Sequence, residues 1–347
     1  MNNISKLREN LCKEPKIRED FIKSLVNFEI DNGFPNTDIR EKITSLLSDE
    51  LFMGESFIKE LSNGLKIKFT YNSKIAREFL LSTPSIPNHV WEPQTTKLLL
   101  HFSKGVKSVI IAGAYFGDQA ILVANNIKEV GNCFTFEPNA NNSNLIKENA
   151  TLNNLENVIV NNLALWNKSN VFLEFEGDDA LASTVEKLDG SNGGLHTITI
   201  DDYVNDNNID SIGLLMIDVE GSETKVLEGA IEMINKNKPV IVFETHSLYD
   251  DWSNGLENSP SVNILSKIGY SVFAIREYHQ NIDTGDMPIE LLPLDKTYCE
   301  IPPHHGFNLL AVPNDTFINN DLFRIVNNLS PKLISHKIDA LFQPSKF

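Results

Sequence analysis

The sequence predicts an α/β protein with a doubly wound, mostly parallel sheet, and three observations lead to this fold class. The apolar run Val109–Ala112 enters a glycine turn, and an amphipathic segment that starts at Asp118 follows at once. Two later apolar runs lie at 212–217 and 239–243. The first is followed by two acidic residues, and the second by an acidic residue and a histidine. Continuous apolar runs of this length are typical of parallel strands buried on both faces, and their alternation with helical segments indicates a doubly wound sheet.

The first predicted strand ends in the turn GAYFG at residues 113–117. Glycine lets a ligand approach the backbone closely, and a helix that follows such a turn presents N–H groups to it. The residue after the turn is acidic, which suits the first turn of a helix. The cofactor-binding residues predicted from this segment are Gly113, Ala114, Tyr115, Gly117 and Asp118.

The second predicted strand ends at Glu137, which lies 20 residues after Gly117. An acidic residue at about this distance from a glycine turn commonly binds ribose hydroxyls. Pro138 cannot extend a strand ladder, so Glu137 should lie at the carboxyl end of its strand. We therefore predict that Glu137, Pro138 and Asn139 contact the cofactor, although a solvated acidic residue at a strand end is equally compatible with the pattern.

The turn does not have the G-x-G-x-x-G spacing of dinucleotide-binding enzymes. Tyr115 and Phe116 occupy the positions where the backbone would have to pass close to a pyrophosphate. A ribose-bearing ligand without a pyrophosphate fits better, and S-adenosylmethionine is the commonest of these. An NAD-dependent oxidoreductase is the weaker alternative.

Five segments resemble, in this order, the FkbM family of S-adenosylmethionine-dependent methyltransferases. They are VIIAGAYFGD (109–118), FTFEPN (134–139), TITIDDY (197–203), IGLLMIDVEGSETKVLEGA (212–230) and PVIVFETH (239–246). Residues 91–96, which include Glu92, resemble the family's entry helix, and residues 308–313 resemble its closing strand. The resemblance implies a Rossmann-like class I methyltransferase sheet of seven strands. It also implies methyl transfer, usually to a hydroxyl of a sugar or secondary metabolite.

One position departs from the family pattern. Ile111 stands two residues before the first glycine, where the family normally carries an aspartate that helps to hold the amino end of the cofactor. Asp118 or Glu92 would have to take over that contact. The alternative is a catalytically silent Rossmann-like binding or scaffold protein.

Methyl transfer from a sulfonium is an in-line displacement, so positioning contributes much of the rate. A hydroxyl acceptor also gains from a base that removes its proton. The candidates for catalytic roles at the predicted strand ends are His246, Asp218, Glu220 and Glu244. His246 has the best ordinary pKa for a base, about 6.5, although a histidine that merely hydrogen-bonds at a strand end fits equally well. The carboxylates also suit orientation of sugar hydroxyls or a divalent cation, while Glu223 is expected to cap the next helix.

The composition narrows the choice of partners. Lysine and arginine number 30 against 47 acidic residues, for a formal net charge of −17. This balance disfavours nucleic acids and anionic membrane surfaces. The three cysteines, far apart, indicate neither a disulfide framework nor a zinc site. Without a signal sequence or an apolar run near the roughly 20 residues of a transmembrane helix, we expect a cytoplasmic enzyme acting on a small molecule or glycan.

The rest of the chain reads as an accessory unit. Helical spacing at 17–29 and 38–47, and alternation at 65–71, suggest helices and a short strand pair. We expect residues 1–90 to form a helical cap or dimerisation extension that supports a homo-oligomer. Residues 91–315 should form the methyltransferase domain and residues 316–347 a helical tail, with helical spacing at 321–328.

Overall fold

The computed structural model describes residues 3–33, 39–82, 90–176, 183–187, 194–299, 306–314, 316 and 321–345. The chain divides into two compact units. The first, here called the extension unit, comprises residues 1–96, 277–285 and 332–347. The second, here called the sheet unit, comprises residues 97–276 and 286–331.

The helices and strands are numbered here in chain order. The α-helices are α1 (Asn3–Lys13), α2 (Pro15–Asp31), α3 (Ser45–Phe52), α4 (Lys74–Leu81), α5 (Pro93–Ser103), α6 (Asp118–Ile127), α7 (Ala140–Leu152), α8 (Ile200–Asp206), α9 (Glu223–Glu228), α10 (Ile231–Asn237) and α11 (Pro260–Lys267). The strands are β1 (Ser56–Glu60), β2 (Lys66–Thr70), β3 (Ser108–Ala112), β4 (Asn132–Phe136), β5 (Val158–Asn161), β6 (Ala164–Leu165), β7 (Phe172–Glu176), β8 (Ser183–Lys187), β9 (Leu195–Ile198), β10 (Leu214–Ile217), β11 (Val240–Thr245), β12 (Tyr270–Ile275), β13 (Glu277–Tyr278), β14 (Ile289–Pro293), β15 (Phe307–Pro313), β16 (Phe323–Ile325) and β17 (Lys332–Leu333).

The sheet unit is built on a nine-stranded sheet with the order β16-β14-β12-β15-β11-β10-β3-β4-β5. The five strands from β11 to β5 pair in parallel, whereas β15 runs antiparallel between β11 and β12. The Rossmann-like, mostly parallel fold class predicted from the sequence is therefore confirmed. The number of strands differs, because β14 and β16 extend the seven strands from β5 to β12 at one edge.

Burial on both faces explains the apolar runs of the central strands. All residues of β3 and β10 are buried. On one face Ile110, Leu215 and Phe243 belong to a core that also contains Tyr203 of α8 and Leu265 of α11. Strands buried in this way need no polar face, which is why they read as continuous apolar runs in the sequence.

The extension unit combines helices with the antiparallel hairpin β1–β2. Phe57 of β1 pairs with Phe69 of β2, and their rings stack at 5.9 Å between centroids. Phe79 of α4 packs against Phe69, with 5.7 Å between centroids. Aromatic pairs at such distances add to the stability gained by burial, so the hairpin and α4 form a small core of their own.

Two segments differ from the sequence-based expectation. Residues 321–328 contain strand β16 instead of a helix, because Phe323 joins the edge of the large sheet through β14. The helical segment predicted at 38–47 includes a π-helical turn, Arg40–Thr44, before α3. The strand expected within 65–71 is β2. In the described ranges, no helix is both long and apolar enough to cross a membrane.

Candidate active site

The carboxyl ends of four neighbouring parallel strands, β4, β3, β10 and β11, form one edge of the sheet. Ala112 of β3 pairs with Phe136 of β4 and with Ile217 of β10, which in turn pairs with Phe243 of β11. The residues one step beyond these partners are Gly113, Glu137, Asp218 and Glu244. Because ligands of open α/β sheets bind outside the carboxyl ends of the strands, this edge is the candidate site.

Gly113 holds the glycine turn against both neighbouring strands. The backbone N–H groups of Gly113 and Ala114 donate to the carbonyl of Phe136, at 2.9 and 3.2 Å. On the other side, a Cβ atom at Gly113 would lie 1.6 Å from the carbonyl oxygen of Asp218. The φ of Gly113 is +77°, which also favours glycine. Only glycine therefore lets β3 and β10 approach this closely.

Tyr115 links the turn to Glu137. Its φ of +49° lies in the left-handed region, which is uncommon for a residue with a side chain. Its backbone N–H donates to Oε2 of Glu137 at 2.9 Å. Gly117, with a φ of +89°, precedes α6 and supplies no side-chain cap to the N–H groups of its first turn. The turn thus presents backbone donors beside a carboxylate.

Glu137 is only 7% exposed and lies at the end of β4. Its Oε1 accepts the backbone N–H of Asn139 at 2.9 Å. Burial raises the pKa of this carboxyl, while N–H donation from Asn139 and Tyr115 and a bond from the side chain of Asn142 oppose that rise. A carboxylate has about four acceptor positions, and three donors already use this one, so Glu137 can also accept one ligand hydroxyl.

Three amide side chains that the sequence analysis missed support this region. Asn162 donates to the carbonyls of Glu137 and Pro138, at 2.9 and 2.8 Å. Buried Asn149 donates to the carbonyl of Phe116 in the glycine turn at 2.8 Å. Asn142 is the third, through the bond to Glu137 given above. Contacts of side chains with distant backbone leave no spacing pattern, so no sequence signal indicated these roles.

The other residues predicted to bind the cofactor have varied surroundings. Asn139 caps α7, since its Oδ1 accepts the backbone N–H groups of Asn141 and Asn142, at 2.9 and 3.2 Å. Asp118 is buried in the first turn of α6, and Pro138 continues directly from the end of β4. Glu92 belongs to the extension unit, where its N–H donates to Oδ1 of Asn281 at 3.0 Å. Their contacts with a cofactor remain predictions.

Ile111, at the position where the family normally carries aspartate, is 2% exposed within β3. Its register partners are Met216 of β10 and Thr135 of β4. A side chain in this place lies inside the sheet layer and offers no charge to a ligand.

Three carboxylates come together at the ends of β10 and β11. Oxygen atoms of Asp218, Glu223 and Glu244 all lie within 4.8 Å of one another. Oε1 of Glu223 accepts the backbone N–H groups of Val219 and Gly221, at 3.0 and 3.2 Å. Glu223 therefore stabilises the turn before α9, as expected of a capping residue, and also joins the acidic cluster. Such an arrangement suits a shared proton, a cation or a hydroxyl-rich ligand.

Glycine also makes room for this cluster. A Cβ atom at Gly306, next to β15, would lie 2.3 Å from Oε1 of Glu244. Burial raises the pKa of Glu223, backbone N–H donation that includes Val219 and Gly221 opposes that rise, and the negative charge of Glu220 adds to it.

Tyr249 covers the turn that follows β10, a role that no pattern in the sequence indicated. A Cβ atom at Gly221 would lie 2.6 Å from Cγ of the Tyr249 ring. Burial raises the pKa of Tyr249, and the charges of Glu220, Glu244 and Glu223 raise it further. Glu220, which has a φ of +52°, is exposed and is not one of the three clustered carboxylates.

His246 follows β11 and lies 5.6 Å from the ring of Tyr249, measured between centroids. Its Nδ1 accepts the backbone N–H of Leu248 at 3.0 Å. A neutral imidazole whose Nδ1 accepts a hydrogen bond carries its proton on Nε2. In this arrangement neither ring nitrogen of a neutral His246 has a free lone pair.

Comparison with known proteins places these observations in a family. A model of the methyltransferase FkbM domain matches residues 112–283, which contain the glycine turn, Glu137 and the acidic cluster. No curated protein gives a significant match.

Several solved structures are similar to this chain. A methyltransferase FkbM from Methylobacillus flagellatus KT is 15% identical with a TM-score of 0.37, and the match covers 60% of this chain but only 44% of that protein. An O-methyltransferase from Bacillus cereus in complex with SAH is 14% identical, with a TM-score of 0.36 and coverage of 66% and 84%. A SAM-dependent methyltransferase from Aquifex aeolicus is 12% identical, with a TM-score of 0.34 and coverage of 70% and 100%.

The resemblance read from the sequence and the family match agree on the same segments, and those segments build the carboxyl edge of the sheet. Through residues 112–283, the chain belongs to the FkbM methyltransferase family.

Proposed function

We propose that this chain transfers a methyl group from S-adenosylmethionine to a hydroxyl of a sugar, a surface glycan or another hydroxyl-rich metabolite. The proposal rests on one observation: two groups of residues lie next to each other at the carboxyl ends of adjacent strands. Glu137 and the glycine turn suit the ribose end of a cofactor, and Asp218, Glu223 and Glu244 suit an acceptor with several hydroxyls.

The donor set fits this cofactor. Glu137 is a buried carboxylate that keeps acceptor capacity for a ribose hydroxyl, and its bond from the backbone N–H of Tyr115 holds it beside the glycine turn. No pyrophosphate has to be accommodated, so the aromatic side chains of Tyr115 and Phe116 are no obstacle. When bound, S-adenosylmethionine supplies an electrophilic methyl group on a sulfonium.

The chain's own residues then have two tasks, to position the acceptor and to remove its proton. Asp218 lies between Gly113 and Glu244 along the sheet edge, so we assign it the role of base. The bond from Leu248 to Nδ1 of His246 argues against that residue as the base. Oε1 of Glu223 is engaged by the turn, which leaves Glu244 to orient the acceptor.

Calorimetry with S-adenosylmethionine tests the first half of the proposal. We expect saturable binding by the full chain. Absence of binding at millimolar cofactor would contradict the proposal and favour a catalytically silent binding or scaffold protein, for which Ile111 is the motivating residue.

A transfer assay tests the second half. Purified protein with methyl-labelled cofactor should label monosaccharides, oligosaccharides or hydroxylated metabolites, and NMR of the product should show a methyl ether. Label found only on nitrogen or sulfur would contradict the O-methyl assignment. A parallel assay with a chelator shows whether the three carboxylates act through a divalent cation, in which case turnover is lost when the chelator is added.

A further inference from the structure

The extension unit contains a pocket that the proposed methyl transfer does not use. It has a volume of about 880 Å³, within the usual range for small-molecule sites. One wall is a single face of α2, from Pro15 to Asn27, and the opposite wall is the whole of β1. The pocket lies along β1. In the described chain this strand pairs only with β2, and its other edge has no strand partner.

The interior of the pocket is mainly apolar. Ile22 and Val26 of α2, Phe57 of β1, and Phe69 and Phe79 contribute apolar side chains to the lining. Phe57 is held in place by stacking on Phe69 at 5.9 Å. A rigid aromatic surface of this kind binds a hydrocarbon or an aromatic ring by burial of apolar area.

The charged groups of the pocket are predominantly positive, in contrast with the chain as a whole. Four cationic and two acidic side chains line it, although the formal net charge of the chain is −17: Arg18, Lys23, Lys59 and Lys68, with Glu19 and Glu60. Lys23 is neutralised by Glu19 at 3.0 Å. Arg18 lies over the face of Phe57, 4.9 Å from the ring centre. The local charge balance thus favours an anion.

Lys59 is the cation best placed to bind an anionic group. It is partly buried, and its Nζ donates to the carbonyl of Ser82 at 2.6 Å. Within the described ranges, no carboxylate of the chain forms an ion pair with it. Burial lowers the pKa of Lys59 to about 8, since the ammonium is partly removed from water. An ammonium ion in such surroundings is stabilised by an anion that enters the pocket.

We propose that this pocket binds an amphipathic anion, with its carboxylate or phosphate on Lys59 and its apolar body against Ile22, Phe57 and Phe79. This proposal concerns the extension unit alone and does not depend on the proposed methyl transfer. Such a ligand is complementary to two features that occur together in this pocket. One is the apolar aromatic lining, and the other is an ammonium group without a carboxylate partner in the described chain.

Decanoate, decyl phosphate and the neutral decanol are suitable probes, tested by calorimetry on the full chain without S-adenosylmethionine. We expect one site, at which either anion binds about tenfold or more tightly than decanol. Inorganic phosphate alone should bind weakly, because it lacks the apolar body. Equal binding of decanoate and decanol, or no binding of either anion, would overturn the proposal.

Two variants locate the site. Lys59→Met keeps an unbranched side chain of similar length and should reduce the affinity for decanoate about tenfold or more while leaving decanol unchanged. Lys6→Met, at an exposed lysine of α1 outside the pocket lining, is the matched control and should bind decanoate like the wild type. Ile22→Trp should fill the pocket and abolish the binding of all three probes. Undiminished decanoate binding by Lys59→Met or Ile22→Trp would show that the anion binds elsewhere.

Discussion

The carboxylate of Glu137 accepts the backbone N–H of Tyr115 at 2.9 Å, so the acidic end of β4 holds the left-handed residue of the glycine turn. The same carboxylate accepts the N–H of Asn139, at the start of α7. Glu137 therefore shapes the proposed cofactor site in addition to lining it. A change at this position should affect both the binding of the cofactor and the stability of the domain.

Replacement of Glu137 by alanine tests both effects. A hydrogen bond to a charged group contributes about 1.5–3 kcal/mol, so loss of the ribose contact should weaken the binding of S-adenosylmethionine by about one to two orders of magnitude. The N–H groups of Tyr115 and Asn139 also lose their acceptor, and we expect a decrease of about 1–3 kcal/mol in the free energy of unfolding. Calorimetry and urea titration measure the two quantities separately.

Glu156→Gln is the control for this experiment, because Glu156 is an exposed carboxylate of the same unit. It should leave both quantities unchanged. Unchanged cofactor affinity in Glu137→Ala would contradict the assignment of Glu137 to the ribose.

Gly113 provides a second test, independent of any ligand. In Gly113→Ala the new Cβ atom would collide with the carbonyl of Asp218, and we expect a loss of several kcal/mol or failure to fold. Gly105 has a similar φ of +73°, but no atom lies within 4 Å of a Cβ atom there. Gly105→Ala should therefore cost only the 1–2 kcal/mol or so of a left-handed alanine. Equal costs in urea titrations of the two variants would contradict the close approach of β3 to β10 at Gly113.

The central strands could be predicted from the sequence because burial on both faces leaves a direct signature. Every residue of β3 and β10 is buried, and the two strands contain the unbroken apolar runs Val109–Ala112 and Leu214–Ile217. The edge strands carry no such signature. Phe323 joins β16 to the sheet through pairing with distant β14, and its local spacing resembles that of a helix. Long-range pairing overrides local periodicity at such positions.

The part of the candidate site that lies at strand ends could be predicted from the sequence. Asp218 and Glu244 follow apolar runs, and parallel pairing of β10 with β11 brings them to the same edge. The position of Glu223 in the same cluster depends on how the turn after β10 folds back. The contact of Tyr249 with Gly221 depends on a loop, and no periodic pattern encodes it.

The choice of base can be tested once an acceptor is known. Asp218→Asn should lower kcat by about two to four orders of magnitude, the usual contribution of a general base, with little change in the affinity for S-adenosylmethionine. His246→Gln should have a smaller effect, since Nδ1 of His246 is engaged by the N–H of Leu248. Steady-state kinetics of both variants should be compared with those of Glu220→Gln, which changes an exposed acidic residue of the same turn. The three kcat values rank the contributions of these residues to catalysis. A larger loss in His246→Gln than in Asp218→Asn would restore the histidine as the base.

Lys59 should make the stability of the extension unit depend on pH in a defined direction. Its pKa is lowered from 10.5 to about 8 by burial, so between these values the unfolded chain binds more protons than the folded chain. The free energy of unfolding should therefore rise with pH through this window, relative to Lys59→Met, by about 1–3 kcal/mol after allowance for partial exposure. The charged groups that share the pocket are unchanged in the variant and cancel in the difference: Arg18, Glu19, Lys23, Glu60 and Lys68. Urea titrations of both proteins at pH 7 and pH 10 measure this difference. A difference that does not change between the two pH values would mean that the ammonium of Lys59 remains fully hydrated in the folded protein.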